Sequence, residues 1–361
     1  MKIRTLLVDS SFLLKRSYYG AKNIYTKVGH IGGLYSFLTT LRKLIKQYKI
    51  NKVVLVWDGE NGGIYRYNID HAYKANRKDK SWNDKIQLTE AELKREKEKE
   101  ESILKQRKRI QTYAEELFFR QIEVDQIEAD DLIAAYCIDY NEKEDIYIYS
   151  KDRDFLQLLD LNITIIFPDI EEPITKDNFF FKFQYHYSNS LTMKIICGDS
   201  SDNIQGVQGI KEPTLLKHFP DLRSKYVSVK EIIKQTKIIN EARFNEKKKP
   251  LIVLERLLNS VERFKINYKL INLKKPFLND QAINELEQLK MPLSSEDRGS
   301  KNLIEYMKLD EFLSVFGGSF VNYVEPFYPV IMNENKLLQE YYDIKKKKIK
   351  IKPSPLPPSK K

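Results

Sequence analysis

Cysteine is almost absent from this 361-residue chain: only Cys137 and Cys197 occur, far apart in sequence. They form no Cys-x-x-Cys pair, which excludes a disulfide framework and a cysteine-based zinc site and fits a reducing, cytoplasmic setting. Histidine is scarce too. His30, His71, His186 and His218 show no spacing that suggests a metal or a nucleophile pair, so all four are expected to be structural. No apolar run reaches the roughly 18 residues that a membrane helix needs, so no membrane partner is expected. Residues 1–9 hold a short apolar run ending on an acid, which reads as a first strand and not as a signal peptide. Ile344 to Lys361 lacks both acids and aromatics; it carries eight lysines and four prolines, and is expected to be a disordered basic tail. Those eight charges leave the rest of the chain at only +3 of the total +11, so net charge alone is a weak sign of nucleic-acid binding.

What is present is a chain with 42% apolar and 12% aromatic residues, enough for a real core. Arg4 to Val8 reads as a buried strand ending at Asp9. Leu34 to Tyr48 places Leu34, Phe37, Leu38, Leu41, Leu44 and Ile45 at helical spacing. Lys52 to Trp57 reads as a second strand, ending at Asp58. Strand, helix and strand in the first 60 residues predict a βαβ unit on a parallel sheet. Further strands are expected at 145–149 and 162–167. Between Tyr73 and Gln111 charge dominates, and a solvated helical excursion from the α/β core is expected there, an arch or a lid. From about residue 176 to 335 the pattern is mainly helical. The expected organisation is an α/β domain over 1–175, a helical domain over 176–335 and the tail over 344–361.

The acids carry the chemical information. Asp9 and Asp58 each end a buried strand. Glu128, Asp130 and Asp131 open an apolar helical run in IEADDL. Asp152 and Asp154 follow the third strand in SKDRDF, and Asp199 and Asp202 lie in GDSSDN. Strand C-termini of an open parallel sheet line one edge, where ligands bind, so several of these groups should converge. Any one of them could equally be a helix cap or a turn residue. Repeated acids at strand ends are not required by capping. Carboxylates crowded together repel one another strongly, and bound cations relieve this best. Oxygen donors without histidine or cysteine favour two Mg²⁺ ions, with Mn²⁺ as a substitute, and suit in-line phosphoryl chemistry.

In six tracts the chain resembles the 5′-nuclease family of flap endonucleases and 5′-3′ exonucleases, which includes phage enzymes and the 5′-nuclease domain of bacterial DNA polymerase I. The tracts are LLVDSSFLLKRSYY, VLVWDG, YRYNIDHAYKANR, IEADDLIAAY, YSKDRDFLQLL and MKIICGDSSDNIQGVQGI, spread from about Leu6 to Phe219. The resemblance implies a PIN-like, mostly parallel sheet flanked by helices, a helical arch over about 73–111, and a helical duplex-binding domain with a helix–hairpin–helix-like element. It implies that Asp9, Asp58, Glu128, Asp130 and Asp131 hold a first metal, and that Asp152, Asp154, Asp199 and Asp202 surround a second. It implies that Lys74, Arg77 and Lys194 act near the scissile phosphate, with Tyr73 packing or stacking. Gly206, Val207, Gly209, Ile210, Lys211 and Lys217 would hold duplex backbone, with K⁺.

The activity implied is a free-standing, metal-dependent 5′ nuclease that hydrolyses phosphodiester bonds at flaps, nicks and RNA primers. Branched or nicked DNA and RNA–DNA hybrids are the implied substrates, and a single-stranded-DNA-binding protein or a polymerase the implied protein partners, in the host cytoplasm if the chain is phage-encoded. Two rivals fit less well. A nuclease-dead homologue would lack metal acids, and all nine are present; a PIN-type ribonuclease would lack the Tyr73–Arg77 tract and the Gly206–Ile210 element. The chain departs from the family pattern at Lys211, which stands where a glycine is usual, followed by Glu212 and Pro213. Residues 297–335 match no motif of the family and are expected to be an added packing element.

Overall fold

The computed structural model of the chain describes residues 2–21, 23–76, 88–294 and 298–350, and for 344–350 the backbone alone. In chain order the first half holds β1 (Ile3–Asp9), α1 (Ser10–Gly20), α2 (Gly32–Tyr48), β2 (Lys52–Asp58), α3 (Ile64–Ile69) and α4 (Glu90–Glu116). These are followed by β3 (Arg120–Val124), α5 (Ala129–Tyr140), β4 (Glu144–Tyr149), a 3₁₀ segment (Arg153–Leu161) and β5 (Thr164–Ile166). The five strands form one sheet in the order β3-β2-β1-β4-β5. Every neighbouring pair is parallel. The strands are apolar runs because both faces are covered. Leu7, Val54, Val56, Ile122 and Ile148 face one core with α5. Leu6, Val8, Val53, Leu55 and Trp57 face the other, with α1, α2 and α4. The strand order reverses between β1 and β4, so the C-terminal ends of those two strands flank a topological switch point, where open parallel sheets bind ligands.

The charged excursion is helix α4. Thr89 and Glu92 close a capping box at its start, which satisfies its first backbone donors. No residue from Glu90 to Lys105 is buried. The C-terminal half of α4 docks on the core, with Ile103 partly buried and Ile110, Tyr113 and Ala114 fully so. Residues 77–87, which the expected arch includes, lie outside the described residues.

The second half adds helices α6 (Lys176–Phe183), α7 (Ser190–Cys197), α8 (Glu212–His218), α9 (Val229–Asn245), α10 (Ile252–Asn259), α11 (Val261–Ile271) and α12 (Asp280–Gln288). Their apolar residues, from Val207 through Phe264 to Leu286, join the same core as α5 and its sheet face. The expected boundary near 175 thus crosses a continuous core. The remaining helices, α13 (Ser300–Leu309), α14 (Phe312–Phe316), α15 (Phe320–Val324) and α16 (Tyr328–Lys350), turn back to the opposite face. Leu303, Met307, Phe312, Tyr323, Phe327 and Val330 pack there with Phe37, Trp57 and Tyr113. The segment without a motif is therefore the outer layer of the α/β sheet and not an extension of the helical part. Helix α16 also runs through Lys350, into the segment expected to be disordered; residues 351–361 lie outside the described residues. Among the described residues no helix is long and apolar enough to cross a membrane.

A buried ion pair fastens this layer to the sheet. Arg120 opens β3 and meets Glu334 of α16 through Nε at 2.9 Å and Nη2 at 2.6 Å. Its Nη1 donates to the carbonyls of Leu289 and Met291. Both side chains are about 2% exposed or less. Removing one partner strands the other charge, at a cost of about 3–5 kcal/mol. Glu334→Gln is expected to lower the urea-unfolding free energy by about that amount, and Arg120→Met/Glu334→Leu by much less. Equal losses in the single and double variants would contradict this role for the pair.

Candidate active site

At the switch point the C-terminal ends of β1 and β2, the start of α5 and the turn after β4 open into a cavity of about 840 Å³. Asp9, Asp58, Glu128, Asp130, Asp152 and Asp199 line it, together with Lys74 and Lys194. Six of the nine acids expected from the sequence thus share one cavity, drawn from five separate tracts. Asp131, Asp154 and Asp202 do not line it.

Each acid is set by ordinary local structure. Asp9 caps α1, accepting from the Phe12 N–H at 3.0 Å on one oxygen and from the Ser150 hydroxyl at 2.9 Å on the other. Asp58 accepts from the Ala129 N–H at 3.0 Å, which ties the end of β2 to the start of α5. Asp152 caps the 3₁₀ turn through the Asp154 N–H at 2.7 Å. Capping and cavity lining coincide in Asp9 and Asp152, because a cap at a strand end already faces the sheet edge.

The electrostatics divide the acids into two kinds. Burial, reinforced by the charges of Asp58 and Asp152, pushes Asp9 up to about 7 against its hydrogen bonds. Burial and the charges of Asp152, Asp9 and Glu128 raise Asp130 well above the usual carboxylate range, with Lys74 opposing. These two are acids short of positive charge. By contrast, burial opposes ionisation of Glu128, but Arg66 and Lys74 outweigh it and lower its pKa. Asp199 likewise is desolvated, yet Lys194 and Ser201 bring it down to about 2. Lys194 contacts both Asp154 and Asp199. Lys74 contacts Glu128.

Among the described residues no three acids, histidines or cysteines stand close enough together to hold one ion; instead Lys194 bridges Asp154 and Asp199, and Lys74 sits on Glu128. The donors nevertheless fit hard divalent cations. Oxygen predominates, and the one thiol on the cavity wall, Cys197, is pushed up to about 12 by burial and stays protonated.

Two motifs hold each other. Lys74 has a left-handed backbone, φ 54°, which costs a non-glycine residue about 1 kcal/mol. Its N–H donates to the Asp202 carbonyl at 2.9 Å. Asn76 donates to the Ser200 carbonyl at 3.1 Å, and Asn203 returns a bond to Ala72 at 2.8 Å. The Tyr73–Asn76 turn is thus docked on the GDSSDN loop. Tyr73 is buried, and its hydroxyl lies 3.1 Å from Glu128 and 3.4 Å from Asp202. It is placed to pack and not to stack on a base. Arg77 lies outside the described residues.

In the element expected to hold duplex, Val207 and Ile210 are core residues, Gly209 takes φ 82°, and Lys217 is exposed. Lys211 instead lines the cavity beside Asp199. Reading the sequence did not single out Lys15, Lys151 and Arg153, which also line it, or Arg66, which is buried behind it. Lys15, Lys151 and Arg153 all lie inside the motif tracts; Lys151 and Arg153 flank Asp152, and that adjacency is the available signal, whereas Lys15, six residues past Asp9, has none so close.

The family described as 5′-3′ exonuclease, N-terminal resolvase-like domain, matches residues 4–184. A 5′-3′ exonuclease of Mycoplasmopsis pulmonis is 28% identical over 298 residues, 78% of this chain and 89% of the relative. A thermostable DNA polymerase I of Thermus thermophilus is 27% identical over 249 residues, 68% of this chain and 27% of the polymerase. Among solved structures, T5 5′-exonuclease with divalent metal ions (zinc) bound aligns with a TM-score of 0.59 at 19% identity, over 86% of this chain and 99% of that one. The bacteriophage T5 flap endonuclease in a complex with DNA and metal ions also aligns at 0.59, with 18% identity over 86% and 98%. At such identities the structural likeness speaks for the fold.

The loop that carries Asp199 depends on a close backbone approach. Strands Gly198–Asp199 and Ile204–Gln205 pair antiparallel. A Cβ on Gly206 would sit 2.1 Å from the Cys197 carbonyl oxygen. Gly206→Ala is therefore expected to cost about 1–3 kcal/mol in urea unfolding, as overpacking does, and to slow cleavage by displacing the loop. Unchanged stability and rate would contradict that reading.

Proposed function

The chain belongs to the 5′-3′ exonuclease family, and we propose that the acidic cavity is the centre at which it performs the structure-specific 5′ nuclease reaction. The enzyme is a DNA-binding phosphodiester hydrolase, and its chemistry depends on divalent metal ions. The observation that carries the assignment of the centre is the meeting of Asp9, Asp58, Glu128, Asp130, Asp152 and Asp199 in one cavity with Lys74 and Lys194.

Asp9, Asp58, Glu128 and Asp130 are the residues that would hold a first Mg²⁺ or Mn²⁺. Asp152 and Asp199, joined through Lys194 to Asp154, would hold a second; the motif adds Asp202, whose carboxylate stands at the Tyr73 hydroxyl on the Glu128 side. Such ions lower the pKa of an attacking water and screen charge on the departing oxygen. Lys74 provides positive charge on the cavity wall, where the phosphate gains negative charge as it reacts. Its left-handed backbone and its bond to Asp202 hold it there without help from substrate. Lys194 keeps Asp154 and Asp199 together until a stronger cation competes for them. Arg77 is assigned to the same phosphate by the motif it completes.

The substrates in this reading are 5′ flaps, nicks and gaps in DNA, and RNA primers in hybrids, met in the host cytoplasm beside a single-stranded-DNA-binding protein or a polymerase. Gly206, Gly209 and Lys217 would face duplex backbone, with Lys211 reaching toward the cavity. A K⁺ ion in that turn has a built-in rival: Arg256 donates to the Gln208 carbonyl at 3.1 Å.

Asp130→Asn removes a charge while keeping the shape. On a panel of 5′-labelled flap, nick, gap and hybrid substrates with Mg²⁺, cleavage is expected to fall at least about a hundredfold, within the range typical of lost electrostatic catalysis, while duplex binding is retained. Without metal, the same variant is expected to melt at a higher temperature than wild type, since it removes repulsion from Asp9 and Asp152. A wild-type cleavage rate would sink the assignment.

A further inference from the structure

Arg66 stands behind the acidic cavity, on α3, and is 6% exposed. Its guanidinium is shared among three partners. Nη1 meets Glu128 at 2.5 Å and Asp131 at 2.6 Å. Nη2 meets the other oxygen of Asp131 at 3.0 Å, and Nε donates to the Leu270 carbonyl of α11 at 2.8 Å. Asp131 is 1% exposed, and its Oδ1 also accepts from the Phe277 N–H at 3.0 Å. Both of its oxygens are occupied by protein, and it does not line the cavity. Glu128 does line it, and also takes Lys74 and the Tyr73 hydroxyl.

We propose that Asp131 is not a metal ligand, and that Arg66 and Asp131 form a positioning pair that presents Glu128 to the cavity. This rests on the reading of the cavity as a metal centre. The charge count explains the arrangement. A buried guanidinium facing Glu128 alone would neutralise it and compete with any cation in the cavity. Asp131 grips Arg66 in a bidentate fork and absorbs its charge, so Arg66 orients Glu128 without consuming its negative charge. Leu270 and Phe277 anchor the same pair to the helical half, so the angle of Glu128 is set by packing on both sides. Glu128 and Asp131, three residues apart at the start of α5, share one side of the helix, which lets a single arginine reach both.

Removing partners that orient a metal ligand costs about 10–100-fold in metal affinity. Asp131→Asn is expected to weaken Mn²⁺ binding about tenfold, read by electron paramagnetic resonance on the DNA-free protein. It should raise the Mg²⁺ concentration needed for half-maximal cleavage by a similar factor while leaving the rate at saturating Mg²⁺ close to wild type. Arg66→Lys, which keeps the charge and loses the fork, should shift metal binding in the same direction. The double variant Arg66→Met/Asp131→Leu removes the buried charges together. It should fold more stably than Arg66→Met yet keep the weakened Mn²⁺ binding.

Loss of cleavage in Asp131→Asn that no Mg²⁺ concentration restores, matching Asp130→Asn, would make Asp131 a ligand and overturn the proposal. Wild-type Mn²⁺ affinity in Arg66→Lys and in the double variant would reduce the pair to a fold-stabilising contact, and would overturn it too. If the wild-type protein bound Mn²⁺ but cleaved no 5′ end, the functional reading would fail while the binding measurements still decided the role of the pair.

Discussion

Repulsion among carboxylates is the constraint around which this molecule is arranged. A parallel sheet delivers Asp9 and Asp58 to one edge, and α5 and the turn after β4 add Asp130 and Asp152. None of these backbone paths can move away, because the strands are buried on both faces. The cost shows in the raised pKa values of Asp9 and Asp130. Charges held this close in a desolvated cavity are tolerated when cations stand among them. Lys74, Lys194 and Arg66 supply part of that charge from the chain itself. Asp9 and Asp130 remain short of it.

The same constraint explains how the two halves of the chain are joined. The counter-charges come from elements that are remote in sequence but fixed in space. Lys74 is seated by its N–H on the Asp202 carbonyl, Lys194 reaches from α7 to Asp154, and Arg66 bonds the backbone of α11. Each cation thereby couples the sheet edge to the helical half. A shift of that half against the sheet would change the balance of charge in the cavity.

The strands β1, β2 and β4 were legible in the sequence as apolar runs with an acid at the end or shortly after it, and the helix α2 by its apolar period alone. Strand β3 was not. Arg120–Val124 is five residues long, follows the charged α4, and opens with an arginine whose burial depends on Glu334, 214 positions away. Long-range ion pairs leave no local period to read. Residues 297–335 read only as an added packing element, and with no motif nothing local says which sheet face that segment covers. In the site, sequence order suggested the acids, whereas only geometry separates Glu128 and Asp130, which line the cavity, from Asp131, which turns to Arg66. The i, i+3 spacing of Glu128 and Asp131 was visible; the arginine that uses it was not.

The acids at the switch point are expected to take up divalent metal, and anomalous diffraction from crystals grown with Mn²⁺ would locate it. Two manganese peaks are expected inside the cavity, one among Asp9, Asp58, Glu128 and Asp130 and one near Asp152 and Asp199, with Lys194 drawn away from its carboxylates. Peaks elsewhere on the protein, or an unaltered cavity at saturating Mn²⁺ with Lys74 still on Glu128 and Lys194 still bridging Asp154 and Asp199, would contradict it.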